Sequence, residues 1–140
     1  MIAIASDHAG FALKEKLKKH LEEIGVEYKD YGTYSTESCD YPVYAKKACS
    51  AVIGGECEKA ILVCGTGIGV SMAANKIKGI RAAVCSDTYS AKFTRLHNNA
   101  NTLCMGARVI GDGLAAEITD IFLTTPFEGG KHQRRIDMFE

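Results

Sequence analysis

The sequence predicts an α/β fold in three layers, α/β/α, around a five-stranded parallel sheet, in one domain covering residues 1–140. Three observations carry this. Short apolar runs alternate with helical stripes along the whole chain, five times over, the pattern of β-α units in a parallel sheet. The run "KAILVC" (59–64) is apolar almost throughout, as a strand covered on both faces must be. No internal repeat or low-complexity segment interrupts the alternation, and 140 residues suit a single core.

Each element has its own reason. "IAIAS" (2–6) is a short apolar strand ending in small residues. In 10–25, Leu13, Leu17, Leu21 and Ile24 recur at helical spacing with Lys and Glu between them, and Gly25 is a fitting stop. The alternating "VEYKDYG" (26–32) reads as a strand, 34–42 as a loop, and 43–55 as a helix ending in Gly-Gly. After the strand 59–64 come a glycine loop and a helix over 70–79. "IRAAVCS" (80–86) is the fourth strand, followed by a helix over 87–99 opened by Asp87 as N-cap. A fifth strand lies within 102–111, and Leu114, Ile118, Ile121 and Phe122 form the stripe of a helix over 112–125. The tail 126–140 begins with Pro126 and turns basic after Gly129-Gly130.

Composition excludes several classes. Lys+Arg and Asp+Glu both number 17, so no global field favours nucleic acid or an anionic membrane. No stretch approaches the ~18 apolar residues of a membrane span, and the N-terminus does not read as a signal peptide. The expected location is the cytoplasm. None of the six cysteines forms a C-x-x-C pair, which argues against structural zinc. Free thiols in a reducing compartment are the expectation.

In an open parallel sheet, ligands bind at the carboxyl ends of the strands. To those ends the reading assigns "SDH" (6–8), "CGTGIG" (64–69), "CSD" (85–87) and "HNNAN" (97–101). Gly65, Gly67 and Gly69 make G-x-G-x-G; a dinucleotide fingerprint needs its third glycine at Val70, although Asp87 falls where its acid belongs. A P-loop is excluded because no G-K-[ST] follows. The loop can instead serve as an anion hole, because glycines admit close backbone approach and a helix N-terminus offers unsatisfied N–H groups. Such donors suit a phosphate or the oxyanion of an enediolate. Cys64 stands directly before them, in the kind of setting where thiols ionise readily, and Thr66 is placed to hydrogen-bond its sulfur. Position alone leaves Cys64 open between a buried hydrophobe and a reactive thiol.

The remaining candidates are polar. Asp7 either caps the first helix or meets a ligand, with His8 beside it. His97 either complements a helix dipole or works as an acid–base group, and Asn98, Asn99 and Asn101 suit turns. Arg108 interrupts an apolar, strand-like segment and, if buried, needs an anionic partner. Lys131, His132, Arg134 and Arg135 are either a solvated face or a phosphate clamp.

"SDHAGF", "DYGTYS", "DYP", "CGTGIGVSMAANK", "GIRAAVC", "HNNAN", "MGARVIG" and "FEGGKHQRR" together resemble the ribose-5-phosphate isomerase B family, which includes the galactose-6-phosphate isomerase subunits. The resemblance runs nearly end to end. It implies a Rossmann- or flavodoxin-like fold and interconversion of ribose 5-phosphate and ribulose 5-phosphate with no metal or organic cofactor. It implies Cys64 as general base, Thr66 orienting it, and the backbone amides of Gly65, Thr66, Gly67, Ile68 and Gly69 as the enediolate hole. His97 would open the sugar ring with Asp7 taking part, and Asn98 would contact substrate. His8, Arg108, Lys131 and Arg135 would hold the phosphate. A second branch of the family carries its base as Glu where this chain has Val70. Lys131 departs from the family's usual Arg, keeping the charge without the bidentate fork. The resemblance also implies a homodimer with shared active sites, the tail reaching the neighbouring subunit, and in some members a tetramer. Other sugars, such as allose 6-phosphate or galactose 6-phosphate, are the near alternative. A non-catalytic nucleotide-binding module is the distant one, and six thiols leave a redox-sensitive scaffold as a bland third.

Overall fold

A computed structural model describes residues 1–140. Its elements follow in the order β1 (Ile2–Ser6), α1 (Phe11–Glu23), β2 (Tyr28–Asp30), α2 (Tyr41–Ile53), β3 (Lys59–Cys64), α3 (Ile68–Ala74), β4 (Ala82–Val84), α4 (Thr88–Asn98), β5 (Thr102–Gly106), α5 (Asp112–Thr124) and α6 (Lys131–Asp137). The five strands form one sheet in the order β2-β1-β3-β5-β4, and every neighbouring pair is parallel. The α/β expectation holds, with the last two strands exchanged relative to the flavodoxin order.

The layers obey one handedness rule. A crossover of fixed hand puts its helix on one face when the chain steps one way along the sheet, and on the other face when it steps back. The steps β1 to β2 and β4 to β5 run one way, and α1, α4 and α5 share one core. The steps β2 to β3 and β3 to β4 run the other way, and α2 and α3 share the opposite core. Alternation along β1 feeds both cores: Ile2 and Ile4 face the first, Ala3 and Ala5 the second. The first core is built from large side chains, Leu13, Leu17 and Leu21 against Ile118 and Phe122. The second is lined by Ala45, Ala48, Cys49 and Ala74. All six cysteines are free. No helix is long and apolar enough to cross a membrane.

Several boundaries differ from expectation. The strands expected over 26–32 and 80–86 shrink to the three-residue edge strands β2 and β4. Helix α2 starts at Tyr41, with Pro42 in its first turn, where a missing N–H breaks no helical bond. Helix α3 begins directly after Gly67 and stops at Asn75, whose side-chain amide pairs with both the N–H and the carbonyl of Ala82 at 2.8 and 2.9 Å. Asp87 caps α4 as expected, accepting the Ser90 N–H at 2.6 Å. The tail contains a helix that periodicity could not reveal, because α6 is seven residues long and buries only Ile136.

One buried side chain went unforeseen. Lys14 is fully buried, and its Nζ donates to Asp30 Oδ1 at 2.6 Å and to the Thr33 carbonyl at 2.5 Å. Asp30 also accepts the Gly32 N–H at 2.8 Å and Lys18 Nζ at 3.0 Å. Burial lowers the Lys14 pKa against the pull of Asp30. Burial works to raise that of Asp30, but its hydrogen bonds from Lys14, Gly32 and Lys18 prevail and hold it below the usual carboxylate value. This knot ties α1 to the segment that leads from β2 toward the site.

Candidate active site

At the carboxyl edge of the sheet, β1 and β3 lie side by side and deliver Asp7 and Cys64 together. Their approach needs Gly10, where a Cβ would sit 2.3 Å from the Val63 carbonyl oxygen. Asp7 is buried and its Oδ1 accepts the Gly10 N–H at 3.0 Å, closing the turn before α1, whose N-cap is Gly10 rather than Asp7. His8 is half-buried, and its Nδ1 accepts the Cys39 N–H at 3.2 Å. The neutral ring therefore carries its proton on Nε2, as a donor.

Cys64 is 5% exposed, and its sulfur accepts the Gly67 N–H at 3.1 Å. Gly67 has φ +80, and a Cβ there would lie 2.9 Å from the carbonyl carbon of Met105. Only glycine takes this conformation cheaply at such close quarters. Gly67→Ala is expected to strain the loop, withdraw the amide from the sulfur, and lower both melting temperature and any turnover. Thermal unfolding alongside an activity assay checks this. Burial pushes the Cys49 thiol up to about 11 against the pull of Thr102, and burial, with Asp87 nearby, does the same for Cys85.

The loop revises two expectations. Thr66 does not bond the Cys64 sulfur; its Oγ1 accepts the Ile68 N–H at 3.2 Å and caps the first turn of α3. Of the five amides expected to form an anion hole, that of Gly67 is given to the sulfur and that of Ile68 to Thr66. The amides of Gly65, Thr66 and Gly69 find no acceptor within the chain. Arg108 is not part of a strand. It lies exposed in the turn after β5, its N–H bonded to the Gly65 carbonyl at 3.0 Å. Its Nη1 lies 3.4 Å from where a Gly65 Cβ would be. Its guanidinium therefore needs no buried partner and faces the loop.

Sequence reasoning missed Tyr41. Its ring crosses Gly69, where a Cβ would come within 2.8 Å of Cζ. The signal was the "DYP" string, which carried no role of its own.

A larger correction concerns "HNNAN". Helix α4 leaves the carboxyl end of β4 and must run back to the start of the parallel strand β5. His97 and Asn98 therefore lie at the amino edge of the sheet, where Asn101 accepts from Ala60 at the start of β3. Cys64 ends that same strand, five residues on from Lys59. At about 3.3 Å per residue, a full strand length, roughly 16 Å, separates the two edges.

The tail joins His97 at this edge. Its ring stacks on His132, with centroids 4.1 Å apart, and meets the edge of Phe93 at 5.1 Å. The Glu128 N–H donates to the Leu96 carbonyl at 3.1 Å, tying the tail to α4. Lys131 and Arg135, one turn apart on α6, are exposed and have no acidic partner within the chain. His97 shares the last turn of α4 with buried Arg95, as the helix-end reading expects, and Arg95 donates to the Thr125 and Ala100 carbonyls at 3.2 and 2.6 Å.

Two clefts flank this edge, and neither contains Cys64. One of about 480 Å³ is lined by Arg81, Asn98 and Phe139 among others, and one of about 320 Å³ by Cys85, Tyr89, Phe93 and His97. The acid that the dinucleotide alternative would need, Asp87, serves as the cap of α4, with its two oxygens accepting from Ser90 at 2.6 and 2.9 Å. The chain thus divides the candidate residues between two edges of the sheet: Asp7, His8, Cys64, the glycine loop and Arg108 at one, and His97, Asn98, Lys131 and Arg135 at the other.

The family model described as Ribose/Galactose Isomerase matches residues 2–139. Ribose-5-phosphate isomerase B of Escherichia coli is 52% identical over 136 residues, spanning 97% of this chain and 91% of that protein. The solved ribose-5-phosphate isomerase B of Clostridium thermocellum superposes with a TM-score of 0.97 at 47% identity, covering 98% of this chain and 93% of that one. The Mycoplasma genitalium enzyme, solved with bound ribulose 5-phosphate, superposes with a TM-score of 0.92 at 43% identity, covering 98% of this chain and 91% of that one. A match over nearly every residue, in sequence and in fold, establishes that the chain belongs to the ribose/galactose isomerase family.

Proposed function

We propose that this protein interconverts ribose 5-phosphate and ribulose 5-phosphate without a cofactor, in active sites each built from two copies of the chain. The observation that carries the chemistry is the Cys64 sulfur, buried and held by the Gly67 amide beside three loop amides without intrachain acceptors. Family membership and the activity named for relatives support the substrate class.

The steps follow from the groups at hand. His97 passes a proton to the ring oxygen while the Asp7 carboxylate, whose Oδ1 alone is engaged within the chain, takes the proton of the sugar's O1 hydroxyl, which opens the furanose. Cys64, as thiolate, takes the proton from C2, and negative charge moves onto O1. The amides of Gly65, Thr66 and Gly69 stabilise that cis-enediolate; one such donor contributes ~10²–10³ in rate. Cys64 then returns its proton to C1, leaving the ketose at C2 once the O2 proton has moved to O1. Thr66 acts by holding the Ile68 amide at the start of α3, and Asp7 Oδ1 fixes the turn before α1 through the Gly10 N–H. His8 Nε2–H and Arg108 from one copy, with Lys131 and Arg135 from the other, bind the phosphate, and Asn98 contacts the sugar.

A second copy is required because His97 and Cys64 occupy opposite edges of one sheet. Exposed apolar residues surround the loop, Ile68, Met72 and Val109, and others, Val84 at the end of β4 and Tyr89 in the first turn of α4, begin the stacked face that leads through Phe93 to His97. Pairing two copies, loop edge to tail edge, covers both sets. The tail 126–140 then reaches into the neighbour's site. The six free thiols fit a reducing, cytoplasmic setting.

Lys131 favours a second reading in which a six-carbon aldose phosphate is the better substrate, since a lysine places its single charge less rigidly than an arginine. Purified protein assayed with ribose 5-phosphate, allose 6-phosphate and galactose 6-phosphate decides. The highest kcat/KM is expected for ribose 5-phosphate. A preference for a six-carbon sugar would transfer the assignment, and no ketose from any of them would refute it.

A further inference from the structure

His97, Glu128 and His132 bring two imidazole nitrogens and one carboxylate oxygen together, and the isomerisation uses only the first. Their ligand atoms all lie within 4.8 Å of one another. Glu128 Oε2 is 3.2 Å from His132 Nε2 and 3.9 Å from His97 Nε2. A tetrahedral ion with bonds of about 2.0–2.1 Å needs ligand atoms some 3.3–3.5 Å apart, so the Glu128–His132 edge already fits, and His97 must draw in from 3.9 Å to Glu128 and from within 4.8 Å to His132. The two rings are stacked 11° from parallel, and closure asks one of them to turn about its Cβ–Cγ bond. The frame is fixed without an ion: α4 supplies His97, the Glu128 N–H bonds Leu96, and Gly129-Gly130 turn the chain so that His132 follows on α6. His97 and Glu128 side chains are 39% and 50% exposed, so an ion can enter and keep solvent in its fourth position.

We propose that His97, Glu128 and His132 form a binding site for a divalent transition-metal ion of the zinc class. Two imidazoles and one carboxylate suit Zn²⁺, Co²⁺, Ni²⁺ or Cu²⁺, whereas Mg²⁺ and Ca²⁺ want oxygen throughout. Binding takes the Nε2 lone pairs and displaces any proton on them. On the reading of His97 as the ring-opening group, a bound ion therefore inhibits the enzyme.

The rival target for such ions is the Cys64 thiolate, and cobalt separates the two. Co²⁺ is titrated into the full-length Cys64→Ala protein and into wild type. The expected result is saturable ligand-field absorption in both, without a thiolate-to-metal charge-transfer band, lost in Glu128→Gln and in His132→Ala. In wild type, either of these substitutions should raise the Zn²⁺ concentration for half-inhibition by at least about 10–100-fold. Absence of the cobalt spectrum in Cys64→Ala, or unchanged Zn²⁺ inhibition in both ligand variants, would overturn the proposal. If the protein showed no isomerase turnover, the functional reading would fall while the cobalt spectrum still decided the site.

Discussion

Cys64→Ala is expected to lower turnover of ribose 5-phosphate by about 10²–10⁴-fold, the share a well-placed general base contributes. That is roughly 3–5 kcal/mol of barrier. The fold should tolerate the change, because the sulfur's single hydrogen bond is to a loop amide and alanine fits wherever cysteine is buried. KM for the sugar phosphate should move little, since the proposed phosphate contacts, His8, Arg108, Lys131 and Arg135, are left in place. A kcat within a few-fold of wild type would mean that another group moves the proton between C1 and C2. The five other cysteines offer no substitute: Cys49, Cys57, Cys85 and Cys104 are buried without a loop amide to hold the sulfur, and Cys39 sits by His8.

Lys14→Met should have the largest effect on stability. Methionine fills the volume of the stem, but Asp30 loses its 2.6 Å partner and the Thr33 carbonyl its donor. Removing one member of a buried pair costs about 3–5 kcal/mol. Lys18 and the Gly32 N–H remain on Asp30, which places the expected loss near about 3 kcal/mol, a drop of roughly 10 °C in Tm. The double variant Lys14→Met/Asp30→Asn should recover part of it, because the uncompensated charge is gone. Equal destabilisation in single and double variants would contradict the pairing account. The same pair fixes a pH dependence. Asp30 has a folded pKa below its unfolded value, so its contribution is complete above about pH 4 and is lost as pH falls through the depressed folded value. Urea midpoints measured across that range in wild type and Asp30→Asn check this.

The sheet and five of the helices are legible because each is an apolar run or a stripe long enough to register. Lys14 is not, although it lies only about 20° beyond Leu21 on a helical projection; a stripe says which side is apolar, not where a lysine at its border will find an aspartate. Helix α6 escapes for the opposite reason, since Ile136 alone faces inward. At the site, the string from Cys64 to Gly69 announces close backbone approach, and Gly67 requires it. What a string cannot assign is which amide goes where: the sulfur took the Gly67 N–H, and Thr66 turned to its own helix. The placement of His97 was legible in principle, because a helix between parallel strands must run back. Grouping "HNNAN" with the carboxyl ends overlooked that constraint, and correcting it is what makes a second copy of the chain necessary to the proposed mechanism.

That necessity is testable by mixing two inactive proteins. Cys64→Ala and His97→Ala are each prepared, then unfolded together and refolded, or co-expressed, so that subunits exchange. If every site takes Cys64 from one copy and His97 from another, a hybrid dimer holds one intact site and one doubly defective site. Random pairing makes half of the dimers hybrids, so activity should return to about a quarter of wild type. If Cys64 and His97 served one site within a single chain, every site in the mixture would stay defective, and no recovery of turnover would contradict the account.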